Sequence, residues 1–115
     1  MALYMVWPSK ARSFDFAGVM ASYANAAEKT GAILCPAGTA WKQAWSFNPA
    51  LSLYAADNFH PSLTGSVLAA LSIYAKLRGK KDFDFLKGKS LSWRASISDP
   101  EAQLLFKAAL VAAEK

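Results

Sequence analysis

The chain offers few residues that can do chemistry. Its 115 residues hold one histidine, His60, and one cysteine, Cys35. Any imidazole chemistry must use His60, which lies in the stretch Leu53-Tyr54-Ala55-Ala56-Asp57-Asn58-Phe59-His60-Pro61-Ser62-Leu63-Thr64-Gly65-Ser66. Asp57 precedes it by three positions, in a segment whose composition reads as a loop running into a helix. In a turn, that spacing can bring the carboxylate to the imidazole Nδ1–H and leave Nε2 free. A carboxylate so placed holds the tautomer and supports an imidazolium, as a general base requires when it takes a proton from a serine hydroxyl. The same spacing also describes a loop histidine tied down by a local hydrogen bond. A single cysteine excludes an internal disulfide framework and a Cys-rich zinc site, and a single histidine excludes a His-cluster metal site. No metal or cofactor is expected. Cys35 has no histidine or second cysteine near it in sequence and reads as an inert core thiol.

The elements that must position the Asp57–His60 pair follow from apolar spacing. Leu3 to Trp7 is a continuous apolar run stopped by Pro8, the pattern of a buried strand. Phe16, Val19, Met20, Tyr23 and Ala27 recur at helical spacing, with Ser13 or Asp15 as the cap and Gly31 as the stop. Ala32 to Leu34, closed by Cys35, Pro36 and Gly38, reads as a second buried strand. Strand, helix and strand in that order predict a βαβ unit with parallel pairing.

Further helices are expected at three places. One covers 39–47 and carries Trp41 and Trp45 on one face. A second covers 61–77, with Leu63, Val67, Leu71 and Tyr74 as its buried stripe and Gly79 as its stop. The last starts at Asp99-Pro100-Glu101, with Asp99 as the cap and Leu104, Leu105, Ala108 and Val111 turned inward. Phe83 and Phe85 alternate with charged residues, as in a short edge strand. Trp7, Trp41, Trp45 and Trp93 are expected in the core.

Composition bounds the rest. Hydrophobic residues make up 54% and charged residues 18%, which excludes disorder and exceeds the apolar share usual in soluble domains. No run approaches the roughly 18 consecutive apolar residues that span a bilayer. Met1 to Trp7 has no basic residue ahead of it and meets Pro8 at once, so it lacks the form of a signal peptide, and the compartment stays open. With no repeat or linker, residues 1–115 are expected to belong to a single domain. The net charge is +5, and seven of the thirteen basic residues fall between Lys76 and Arg94. Asp82 and Asp84 interrupt that stretch and no nucleic-acid motif accompanies it. A solvated helix end is expected, not a nucleic-acid site.

The wider string Asp57-x-x-His60-Pro61-Ser62-x-x-Gly65-Ser66-x-Leu68-Ala69-Ala70 resembles the last conserved block of the SGNH (GDSL-type) hydrolases. Leu3-Tyr4-Met5-Val6-Trp7-Pro8 is similar to that family's central strand, and Tyr23-x-x-Ala26-Ala27 to the helix after it. Pro36-x-Gly38-x-x-Trp41 is similar to the exit of the next strand, and Ile97-Ser98-Asp99 with the final helix to a subgroup's C-terminal helix. The resemblance thus covers nearly the whole chain, in family order. It implies serine-dependent ester hydrolysis on a flavodoxin-like three-layer α/β/α sandwich. By motif, His60 would be the general base and Asp57 its orienting carboxylate. The family's nucleophile comes from a Gly-Asp-Ser block, and its oxyanion hole from a glycine and an asparagine in two intermediate blocks. This chain contains no Gly-Asp-Ser and no Gly-x-Ser-x-Gly elbow.

The chain is therefore expected to be the C-terminal part of such a hydrolase, a partial α/β sandwich with about two parallel strands and three to four helices. It would meet a small-molecule ester only as part of a complete enzyme, and is expected to be inactive by itself because the nucleophile serine and oxyanion-hole blocks are absent. A two-stranded sheet is marginal alone, so self-association, or pairing with an N-terminal half, is expected. Two alternatives belong to other classes: a non-catalytic interaction or structural domain of the same fold, and a basic surface-binding module using residues 76 to 94.

Overall fold

Two short strands, β1 (Ala2–Tyr4) and β2 (Ile33–Cys35), pair in parallel, with Ala2 opposite Ile33 and Tyr4 opposite Cys35. The computed structural model describes residues 1–86, 93 and 96–114. The ladder extends past the strand ends: the Ile33 N–H donates to Met1 O and the Met5 N–H to Cys35 O, both at 2.9 Å. Helix α1 (Phe16–Thr30) crosses between the strands, which gives the expected βαβ unit. A 3-10 segment, Lys10–Asp15, runs directly into α1, and the Phe16 N–H donates to Ser13 O. Asp15 stands at the cap position without a side-chain capping bond; its carboxylate pairs instead with Arg12 at 2.8 Å. The incoming turn makes a side-chain cap unnecessary. α1 ends at Gly31, whose φ of 69° is a left-handed conformation that costs glycine little.

Three more helices follow: α2 (Ala37–Phe47), α3 (Leu63–Arg78) and α4 (Asp99–Glu114). They pack on one another, α3 also touches β2, and α1 touches both strands. Among the described residues the fold is mixed α/β, mostly helical, with four α-helices and one two-stranded parallel sheet. The core runs through Trp41, Leu53, Leu68 and Leu105, with Ala102, Ala108, Ala109 and Ala112 of α4 fully buried against it. Alanines on that face let the helix axes approach closely. No helix among the described residues is long and apolar enough to cross a membrane.

Four local expectations change. The strands are not buried: Tyr4 and Ile33 are each 46% exposed, and burial becomes deep only at Met5, Trp7 and Cys35. The helices pack mainly on one another, and two three-residue strands give them little sheet to cover. In α3, Val67 and Leu71 are buried but Leu63 and Tyr74 are exposed. That helix packs through Leu68, Ala69, Ser72 and Ala75 as well, so its inner surface is broader than one stripe and rotated from the expected one. Ser98, not Asp99, opens α4: its Oγ accepts the Glu101 N–H at 3.3 Å and its carbonyl accepts the Ala102 N–H at 2.8 Å. Finally, Phe83 is buried ahead of a 3-10 turn, Asp84–Leu86, where an edge strand was expected. Lys87, Lys89 and Arg94 of the basic stretch lie outside the described residues.

Candidate functional site

The site loop is built by residues 53–62, which fold back on themselves before α3. The Ser62 N–H donates to Leu53 O at 2.8 Å, and the Ala55 N–H to His60 O at 2.7 Å. These two bonds close the base of the loop, and Tyr54 and Pro61 form an isolated antiparallel bridge between them. At the tip, the Asn58 N–H donates to Ala55 O at 3.0 Å, and Asn58 adopts a φ of 58°. Asparagine is among the non-glycine residues that tolerate this left-handed region best. The turn leaves the Phe59 and His60 amides pointing inward, and Asp57 Oδ1 accepts both, at 3.0 and 2.9 Å.

Asp57 Oδ2 lies 2.5 Å from Nδ1 of His60. The two expected site residues are therefore brought together as the spacing suggested. The bond from the His60 side chain, followed by the two backbone N–H bonds, holds the Asp57 carboxyl down at about 2 from its ordinary 3.8. At neutral pH it is an ionised, acceptor-only group, so Nδ1 must carry the proton. In a neutral imidazole Nε2 is then the atom with the lone pair. The His60 side chain is 70% exposed and that of Asp57 50%. Nε2 makes no hydrogen bond to any described residue.

Three anchors fix this loop at the carboxyl end of β1. The Trp7 indole Nε1–H donates to Phe59 O at 3.1 Å, the Tyr54 hydroxyl to Pro8 O at 2.6 Å, and the Lys10 N–H to Asn58 O at 2.8 Å. Trp7 also stacks on the fully buried Trp41, ring centroids 3.7 Å apart and planes 11° apart. Trp41 meets Trp45 and Tyr54 edge-on, so an aromatic column links β1, α2 and the loop. Trp7, Trp41 and Trp45 thus take the core role expected of them, and partly buried Trp93 packs against the same core. Ser62 caps α3, accepting the Gly65 N–H at 3.1 Å while donating to Ser52 O at 2.7 Å. Its hydroxyl is committed twice over. No other described serine hydroxyl bonds His60 either.

The anchoring roles of Trp7, Tyr54 and Lys10 were not expected from sequence. The Trp-Pro after the first strand was the one available signal, since a buried indole N–H needs an acceptor. Beside the loop lies an open groove of about 420 Å³, bordered by Lys10, Ser13, Trp45, Ser52, Tyr54 and Asn58. Cys35 is buried, and that burial pushes its thiol pKa up. At the C-terminal end of α3, the Lys76 ammonium donates to Ala113 O at 3.3 Å. Part of the basic stretch therefore answers the negative end of α4. Among the described residues no group of three or more His, Cys, Asp or Glu gathers as metal ligands would. No protein-family model, curated protein or solved structure matches the chain.

Proposed function

We propose that this chain supplies the acid–base half of a serine-dependent ester hydrolase of the SGNH type. His60 is the general base and Asp57 its orienting carboxylate. The observation that carries the proposal is the Asp57 Oδ2···Nδ1 bond, with Nε2 left exposed at the carboxyl end of a parallel strand. Ligands of open α/β sheets bind in that region. In the proposed reaction, Nε2 takes the proton of a serine hydroxyl as the oxygen attacks the ester carbonyl, and gives it to the departing alkoxide. Nε2 then takes a proton from the water that attacks the acyl-serine, and returns it to the serine oxygen as the second tetrahedral intermediate collapses. Asp57 stabilises the imidazolium formed between these steps. The serine and the oxyanion donors come from polypeptide beyond these 115 residues, arranged as part of a flavodoxin-like sandwich. The half-exposed Tyr4 and Ile33 on the two strands suit such an addition. They equally suit a non-catalytic interaction domain of the same fold.

One experiment separates the two. The chain is produced together with the polypeptide encoded immediately ahead of it and assayed on short acyl esters. The hydrolase proposal expects turnover that His60→Ala lowers by about 10³-fold or more, as loss of a triad member does. Turnover indifferent to His60→Ala refutes the assignment of the base, and a folded assembly without turnover favours the interaction domain.

A further inference from the structure

We infer that His60 Nε2 is itself an acyl acceptor, giving the chain a slow, serine-independent hydrolysis of activated esters. Three observations support this. The ionised Asp57 accepts the Nδ1–H hydrogen bond, so the neutral ring presents its lone pair at Nε2. That atom has no partner among the described residues on a ring that is 70% exposed, so an incoming carbonyl meets nitrogen first. The Phe59 ring, 54% exposed and set edge-on to the imidazole with centroids 5.0 Å apart, adds an apolar surface for an acyl chain.

Histidine belongs to the side chains that form covalent intermediates. The Nε2 lone pair adds to the ester carbonyl, the carbon–oxygen bond to the aryl group breaks, and the aryloxide leaves with its electron pair. The product is an Nε2-acyl-imidazolium whose Nδ1–H still donates to Asp57, so the carboxylate faces the charge that develops. Water then adds to the acyl carbon and loses a proton to solvent, the carbon–nitrogen bond breaks, the lone pair returns to Nε2, and the released aryloxide takes up a proton from solvent. The net change is ester plus water to carboxylic acid plus phenol. The leaving group must be good, because among the described residues no general acid is hydrogen-bonded at Nε2 to protonate it; the substrate class is activated aryl esters with an apolar acyl chain.

The test uses the intact chain with p-nitrophenyl acetate and p-nitrophenyl hexanoate at neutral pH, alongside His60→Ala and Asp57→Asn. Wild-type release of nitrophenolate should exceed that of His60→Ala by about tenfold, ~1.4 kcal/mol in the barrier. Asp57→Asn can keep an oxygen for the Phe59 and His60 amides while turning an NH2 towards Nδ1. That moves the ring proton to Nε2 and should cost a similar factor. Because His60 is the sole histidine, its ¹⁵N imidazole resonances report the tautomer in each folded sample without ambiguity. Hydroxylamine should intercept the acyl group as a hydroxamate, with a yield above that of His60→Ala. Phe59→Ser should narrow the preference for hexanoate over acetate. Equal rates in wild type and His60→Ala overturn the inference, as does an Asp57→Asn rate equal to wild type. A rate abolished by a fluorophosphonate also overturns it, since serine would then carry the reaction. The hydrolase proposal above survives each of these failures, because it concerns the assembled enzyme.

Discussion

Gly65→Ala should loosen the site loop from its scaffold, and the local geometry gives the size of the effect. A Cβ built on Gly65 would lie 2.7 Å from Cζ2 of Trp41 and closer still to the carbonyl oxygen of Leu53. Neither neighbour can yield cheaply. Trp41 is fully buried and stacked on Trp7, and Leu53 O is backbone that accepts the Ser62 N–H. The first turn of α3 must therefore lift, and overpacking of this kind costs about 1–3 kcal/mol. Lifting it also strains the Trp41 Nε1–H bond to Gly65 O, 3.2 Å in the native protein, worth about 1 kcal/mol. The helix preference of alanine over glycine returns at most about 1 kcal/mol. A net loss of about 2 kcal/mol is expected, on the order of 8 °C in Tm for a chain of this size. Thermal melts at matched protein concentration measure it. The control is Gly18→Ala in α1, where the new Cβ meets only Asp15 Oδ1 at 3.3 Å and helix preference decides; its Tm should hold or rise. The His60 and Phe59 amide resonances should shift in Gly65→Ala and stay put in Gly18→Ala. A Gly65→Ala melt at or above the wild-type temperature would refute the close approach of α3 to the loop.

Three other outcomes follow from the same structure. The Asp57 carboxyl titrates at about 2 when folded against an ordinary 3.8, so its contribution to stability is complete above about pH 4 and disappears as pH falls through about 2. The Phe59 and His60 amide shifts should titrate with the lower midpoint, and a midpoint near 4 would disprove the hydrogen bonds to Asp57. Cys35 is buried with its thiol pKa raised, so a disulfide reagent should react with it at an appreciable rate only in denaturant; fast reaction in native buffer contradicts that placement. With Met1, Tyr4 and Ile33 exposed along a two-stranded sheet, the isolated chain should self-associate or melt at low temperature. A monomer in sedimentation velocity with a cooperative high-temperature melt would falsify this.

Much of the secondary structure was legible from local pattern. The glycine stops at 31 and 79 took left-handed φ values because only a residue without Cβ adopts them at little cost. The parallel βαβ order was legible for a similar reason, since it depends on neighbours in sequence. The misplaced features depend on neighbours in space. Leu63 and Tyr74 belong to a plausible helical stripe, yet α3 buries a broader face because α2, α4 and β2 all pack against it. Strand burial failed the same way: apolar runs announce that cover is needed, but not whether this chain provides it.

The site divides along that line. Sequence alone determined that imidazole chemistry has one possible bearer, and that a carboxylate three residues earlier can reach its Nδ1 through a tight turn. That is a property of local backbone geometry. Only the tertiary structure decided where the pair sits in the fold and that its histidine side chain faces solvent. The long-range bonds from Trp7, Tyr54 and Lys10 hold the loop at the carboxyl end of β1, and the buried Trp7–Trp41 stack keeps the Trp7 anchor in place. These contacts join residues about 35 to 50 positions apart, and only close packing of the aromatic core brings such distant positions within hydrogen-bonding range.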